Sequence, residues 1–429
     1  MESKRNTGKK RRAPEKAGEH RKTRSASMVG KEIIYNNNMT MTTSREDRKD
    51  YKLSLIICWM MMSLFFINST HLLESLIGVT SQIISIFSKG LLLILIIYNL
   101  KNIFRRLTNS LILFFLSGTI IVLINILFIQ VDVFFWQTIE RFTLNIFPIF
   151  VVITCIRNFD ILLKLLVKTA RILVIFSFVI LMIASQGDSG YSMGFANSLT
   201  LPIILTLYDY YTEKKFYKLG IFFLGCLSII VLGSRGALLG IGVYAIILLC
   251  KGLKSKENRV RSILFILVII VGVIFHEKII IFFIDILNKM GIYSRTLYLL
   301  LYDQTHDSDR NVIYEAIIGE IEQHPFQVRG IAGEYVITSG AYAHNFILEL
   351  VCDFGMIFGS IIIIWIFWSI FQNIISAIFS IKSDVNIIFF AASIPVMFVS
   401  GSIWTTTYFW VWIALIINRK YRKKKVLYE

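Results

Sequence analysis

A histidine, two carboxylates and two arginines stand where apolar segments of this chain begin or end, and they are its best candidates for chemistry. Ala343-His344-Asn345 closes a long polar loop and leads directly into an apolar run. Asn345, Glu349 and Asp353 follow one another at four-residue spacing, which places them on one face of a helix. Two carboxylates on a helix that enters a membrane are costly if they face lipid, so they are expected to line a polar cavity or to pair with cations. A histidine alone at such a place is usually structural. With carboxylates nearby it becomes a candidate base, because a neutral imidazole can take a proton from a hydroxyl. Glu349 or Asp353 could orient that ring, tune its proton affinity or pair with an arginine.

Gly233-Ser234-Arg235-Gly236-Ala237 is the second signal. It joins two apolar runs in a tight turn, and an arginine there needs an anion or water. Backbone amides at the start of the next helix could share a phosphate with Arg235. The competing reading is an ordinary turn with a snorkelling arginine. Arg310 falls in the first turn of a loop helix, where a cation opposes the helix dipole; it is either an anion ligand or a solvated surface residue. Arg141, beside Glu140, reads as half of a local ion pair. Trp404, Tyr408, Trp410 and Trp412 read as an interfacial aromatic belt. The five cysteines have no metal-ligand spacing and there is no paired-aspartate motif, so neither a metal nor another cofactor is expected.

The elements that must position these residues are membrane helices. Hydrophobic residues make up 55% of the 429 positions and the mean hydropathy is +0.67, too apolar for a soluble protein. Continuous apolar runs near bilayer-spanning length exclude a β-barrel. The expectation is an all-α polytopic membrane protein with about twelve transmembrane helices and one long external loop containing short helices. The spans read roughly as 52–69, 80–100, 109–129, 142–157, 170–186, 195–211, 219–233, 236–251, 262–276, 346–372, 385–402 and 404–418. The net charge of +17 does not indicate nucleic acid, because the cations collect in alternate short loops and at both ends, as the positive-inside rule expects. Both termini are therefore expected in the cytoplasm.

Residues 1–50 read as a disordered basic tail without a signal peptide, 51–276 as nine spans, 277–343 as the external loop, 344–418 as three more spans and 419–429 as a basic tail. Asn158–Leu166 reads as a short amphipathic helix on the inner surface. Pro148, Pro202 and Pro395 are expected to kink their spans. In the loop, Lys278–Lys289 reads as a surface helix. A second helix starts at Ser308-Asp309-Arg310, with Ser308 as N-cap, and presents Val312, Ile313, Ala316, Ile317 and Ile321 on one face until His324-Pro325 ends it. Gly330, Gly333 and Gly340 make the return to His344 turn-rich.

In this order and sidedness the motifs resemble the O-antigen ligase and Wzy-type polysaccharide polymerase family. That family has roughly ten to fourteen spans and a long external loop late in the chain. Gly233-Ser234-Arg235-Gly236-Ala237 is similar to the family's arginine turn. Ser308-Asp309-Arg310 with Pro325 and Gly330 is similar to its loop arginine, helix and Pro–Gly stretch, although Asp309 stands where glycine is usual. His344-Asn345 with Gly355 and Gly359 resembles the closing motif, and Met193-Gly194-Phe195-Ala196-Asn197-Ser198 resembles a mid-chain span that begins with an asparagine. The resemblance covers about 190–360.

The resemblance implies a metal-independent integral-membrane glycosyltransferase without a cofactor. It would act on the outer face of a bacterial plasma membrane and join polyprenyl (undecaprenyl) diphosphate-linked oligosaccharides into capsule, exopolysaccharide or O-antigen. It implies His344 as base, with Arg235 and Arg310 on the diphosphate. Asn197, Ser234, Asn345, Glu349, Asp353 and Arg141 would contact substrate. A flippase and a chain-length regulator are the partners it suggests. A ligase passing the glycan to another acceptor differs from a polymerase only in that acceptor. A flippase for the same lipid would instead call for structural repeats and charges near the bilayer midplane. A sensor or scaffold using the loop as a binding domain would tolerate loss of His344.

Overall fold

The computed structural model describes residues 44–426, apart from 79, 108, 130, 185–191, 257, 290–293, 303–309 and 380–383. Of the tail expected to be disordered over 1–50, residues up to 43 lie outside the described residues, as do the cap Ser308 and its neighbour Asp309, while 45–50 are helical and begin the first span, where Asp50 is buried against Arg106. From the first helix onward the chain forms one compact unit. Every regular element among the described residues is helical. In order they are α1 (Arg45–Ile77), α2 (Ser81–Phe104), α3 (Asn109–Phe128), α4 (Val133–Arg141), a π turn (Phe142–Ile146), α5 (Phe147–Cys155), α6 (Phe159–Ala184), α7 (Met193–Glu213), α8 (Phe216–Leu232), α9 (Arg235–Lys254) and α10 (Arg259–Ile274). There follow α11 (His276–Lys289), α12 (Arg295–Tyr302), α13 (Arg310–Gln323), α14 (Glu334–Ile337), α15 (Phe346–Phe379), α16 (Asp384–Met397) and α17 (Thr407–Val426).

Among the described residues seven helical segments are long and apolar enough to cross a membrane: Arg45–Glu74, Ser81–Phe104, Leu111–Phe128, Val133–Cys155, Phe159–Ala184, Arg235–Lys254 and Phe346–Ile378. Phe216–Leu232, Val385–Met397 and Thr407–Asn418 are apolar but shorter. The chain thus fits a multi-pass membrane protein. The figure of about twelve spans counted these shorter helices together with α7 and α10. Apolar residues of α2 and α3 such as Ile86, Phe87, Leu113 and Phe128 are largely exposed, a surface that suits lipid rather than water.

Two details depart from expectation. Asn158–Leu166 is not a separate surface helix but the first third of α6. No glycine or proline stands between Leu166 and Ala184, so a helix once nucleated simply continues. Its Leu162, Leu166, Val167 and Ala170 are buried against the bundle. Before Pro148 the chain inserts a π turn that the sequence pattern did not foretell; its extra residue accommodates the lost amide and the ring's clash with the turn before it. Pro202 and Pro395 lie inside α7 and α16 as read.

One end of the bundle, where the chain passes from α5 to α6 and from α7 to α8, is held by ion pairs. Arg106 binds Asp50 and also Glu46, the latter at 2.6 Å. Asp50 in turn accepts from the amides of Arg157 and Asn158. Asp209 takes the Arg171 guanidinium and, at 2.7 Å, the buried Lys218 ammonium. The opposite end carries the loop between α10 and α15. Between the ends α9 packs closely on α16: a Cβ at Gly240 would lie 2.6 Å from the Ala391 carbonyl oxygen.

Candidate functional site

The loop is laid across a broken helix. Within α15, Gly355 has φ 70 and ψ 168, so Phe346–Phe354 and the longer apolar stretch after it are two helices meeting at a kink. Non-helical backbone at membrane depth is tolerated where protein satisfies it, and here the loop does so. The Met356 amide donates to Pro325 O at 2.8 Å. Asp353 O accepts from the amides of Arg329 (2.9 Å) and Gly330 (2.8 Å). Ile331 N donates to the Asn125 side chain at 3.2 Å, which fastens the loop to α3 as well. Ile317 of α13 is buried with Ala343 and Cys352, and Ile313 and Ile321 pack beside it, so the expected apolar face does meet the bundle. Val312 and Ala316, read as part of that face, are exposed.

Asn345 is the N-cap of α15: its Oδ1 accepts from Ile347 N at 2.9 Å and its carbonyl from Glu349 N at 3.0 Å. One and two turns on, Glu349 and Asp353 share a face and are fully buried. Glu349 accepts from the hydroxyl of Ser402 and from the Ile403 amide. Asp353 accepts from Gly333 N (2.9 Å) and from the indole of Trp404 (2.8 Å). Both are turned toward the 402–404 segment, and neither hydrogen-bonds His344 or an arginine. Glu334, the first residue of α14, joins them: carboxylate oxygens of Glu334, Glu349 and Asp353 lie within 4.8 Å of one another. Burial and the two neighbouring carboxylates push the Glu334 carboxyl well above its ordinary value.

His344 sits at the mouth of this assembly with φ 52, in the left-handed region. Tyr342 covers its ring at 3.9 Å between centroids. Its Nδ1 is buried and has no hydrogen-bond partner. Burial first, and then the positive charge of Arg310, push the imidazole down to about 4. The ring is therefore neutral at physiological pH. That electrostatic effect also means Arg310 lies within reach of His344, although 303–309 between α12 and α13 are outside the described residues. Arg310 forms no ion pair among the described residues.

The arginine turn is built as a C-cap followed at once by an N-cap. Gly233 ends α8 in the left-handed region at φ 85, which glycine adopts without strain. Ser234 then caps α9: its hydroxyl accepts from Ala237 N at 3.3 Å and donates to Asn197 Oδ1 at 2.8 Å. Two residues picked out separately, Asn197 and Ser234, thus form one pair. Arg235 is exposed and has no ion pair among the described residues. A Cβ at Gly236 would be 3.7 Å from Ser400, so the turn abuts the segment that carries Ser402 and Trp404. In this way the turn, the carboxylates and the loop gather at one end of the bundle.

Arg141 does not pair with Glu140. It lines a crevice of about 330 Å³ with Lys89, Asn145, Thr405 and Thr407, and its charge reaches Tyr335. The aromatics of the last hairpin are not a belt either. Trp412 is fully buried and Tyr408 nearly so, while the indoles of Trp404 and Trp410 donate to Asp353 and to Ile403 O.

The main residue that sequence reasoning missed is Glu334. It stands in a glycine-rich loop with no periodicity, and its only signal was an acidic residue between Gly333 and an apolar pair. Tyr342 was missed as well, although it lies two residues from the histidine. Comparison with protein-family models, with curated proteins and with solved structures gives no match for this chain.

Proposed function

We propose that the chain is an integral-membrane glycosyltransferase that polymerises polyprenyl-diphosphate-linked oligosaccharides, with the loop end of the bundle at the outer face of a bacterial plasma membrane. The observation that carries the reading is a neutral imidazole with an unpartnered nitrogen, set within the field of Arg310, which has no ion pair among the described residues. A neutral imidazole is the form that can accept a proton, and an uncommitted guanidinium is the form that can take a diphosphate.

In this reading an acceptor sugar hydroxyl gives its proton to His344 as its oxygen bonds to the donor's anomeric carbon. The bond from that carbon to the diphosphate breaks, and the electron pair leaves with the polyprenyl diphosphate. Arg310 and Arg235 stabilise the charge that grows there. Binding the dianion also offsets the positive field of Arg310, so the imidazole becomes a better base once the donor is seated. Arg141 and Asn145 in the crevice offer polar contacts along the lipid-linked substrate.

The test is to replace His344 by Ala, verify membrane levels, and size the cell's surface polysaccharide and lipid-linked glycans on a gel. Loss of the long ladder with build-up of single lipid-linked repeats is the expected result. An unchanged ladder removes the base role and with it this mechanism. Long lipid-linked chains that never reach a final acceptor would mark the ligase reaction instead.

A further inference from the structure

We propose that Glu334, Glu349 and Asp353 form a binding site for a hard divalent cation, calcium in preference to magnesium, which fastens the loop to the bundle. The inference is independent of the glycosyltransferase reading, and the cation takes no part in group transfer.

Three buried carboxyl groups lie close together, and among the described residues no lysine, arginine or histidine pairs with any of them. Two of the three are already held as anions are held. Glu349 receives a hydroxyl and a backbone amide, and Asp353 receives an amide and an indole N–H. Glu334 receives no hydrogen bond from outside the cluster: both its oxygens are buried without a donor, its one close polar neighbour is the Asp353 carboxyl, and its side chain is fully enclosed against the other two. An ionised carboxylate in that position leaves a large unbalanced cost. Either protons or a cation must balance the cluster.

The donor set favours a hard cation. It offers carboxylate oxygens only, with neither sulfur nor imidazole, which disfavours zinc and copper and suits calcium or magnesium. Each oxygen of Glu349 and Asp353 that accepts one hydrogen bond still has a second lone pair. The carboxylate oxygens lie within 4.8 Å of one another, close enough for one ion to bridge all three groups. Coordination habit then favours calcium. Magnesium keeps several waters and demands near-ideal octahedral geometry, whereas calcium accepts irregular sets of about six to eight oxygens and bidentate carboxylates, which suits three enclosed carboxyl groups. The three ligands come from separate pieces, Glu334 from the loop and the other two from the kinked helix, and those two also grip the 402–404 segment. A bound ion would therefore clamp the return path to His344.

The test uses the full chain in detergent, stripped with EDTA and dialysed against calcium or magnesium, with bound metal and thermal unfolding measured on wild type and Glu334→Gln. Wild type should hold one calcium per chain and unfold at a higher temperature with calcium than without. The variant should lose both effects, and magnesium should act only at higher concentration. If Glu334 is simply a protonated acid sharing its hydrogen with Asp353, Gln will imitate it. Wild type and variant will then bind equally little metal and calcium will leave the unfolding temperature unchanged, which overturns the proposal. Should the variant not fold, terbium on wild type replaces it. Excitation of the tryptophans, with Trp404 hydrogen-bonded to one ligand, should give sensitised emission that saturates at one ion per chain and is displaced by calcium. Absence of displaceable emission overturns the proposal equally.

Discussion

Gly355→Ala should loosen the loop without unfolding the bundle, and the size of the effect follows from the kink. The backbone there, φ 70 and ψ 168, is a region open almost only to glycine, so a Cβ costs about 1–3 kcal/mol in local strain. The added carbon would lie 3.0 Å from Phe326 O and 3.1 Å from Gln327 O. These are backbone atoms, so relief requires the loop itself to move by a few tenths of an ångström. The bond from Met356 N to Pro325 O lies in the same place, and weakening it costs about 0.5–1.5 kcal/mol. Together the penalty is about 1.5–4.5 kcal/mol. At about 1.4 kcal/mol per factor of ten, local opening becomes roughly 10 to 1,600 times more frequent. Amide hydrogen exchange in detergent reads this directly. Protection at Arg329, Gly330 and Met356 should fall by that factor, while amides beyond Ile362 keep theirs. If protection at those three amides changes by less than about threefold, the loop is not docked through the kink and the reasoning fails.

Ser234→Ala removes an N-cap and the donor to Asn197, and should lower stability by about 1 kcal/mol in thermal unfolding; an activity loss well beyond that would show the hydroxyl meets substrate. Asp209→Asn leaves the buried Lys218 with Glu213 alone and should cost less in thermal unfolding than the about 3–5 kcal/mol of a fully stranded buried charge, whereas Lys218→Met leaves Asp209 its Arg171 and should cost less again. Because burial and Arg310 hold His344 near 4, diethylpyrocarbonate should keep modifying it as the pH falls to about 5, where an ordinary histidine near 6.5 has become protonated and inert. Arg310→Gln should move the His344 midpoint upward, as followed by mass spectrometry of the modified peptide; a midpoint that stays put would mean the guanidinium does not face the ring.

Much of the architecture was legible because bilayer-length apolar runs leave few choices. The four-residue spacing also fixed the shared face of Glu349 and Asp353. What the spacing left open was the partners. Glu349 meets Ser402 and Asp353 meets Trp404, some fifty residues further on. The pairing of Asp50 with Arg106 spans a similar gap. Gly355 was visible, but a glycine in an apolar run is compatible with an unbroken membrane helix. Only the loop carbonyls pressed against it reveal the kink. The tryptophans misled for a statistical reason: belts are common, yet an indole beside a buried carboxylate has a stronger local partner.

The left-handed backbone at His344 has a consequence for which sequences can occupy this position. With no hydrogen bond on Nδ1, the ring takes its direction from the path of the main chain and from Tyr342 above it. Path and ring are therefore separable. Asparagine enters the left-handed region at little cost and would keep the loop's course while removing the imidazole. Valine or isoleucine would spoil both at once. The chain can thus be asked two different questions at a single residue, one about shape and one about proton transfer, simply by choosing which side chain replaces the histidine.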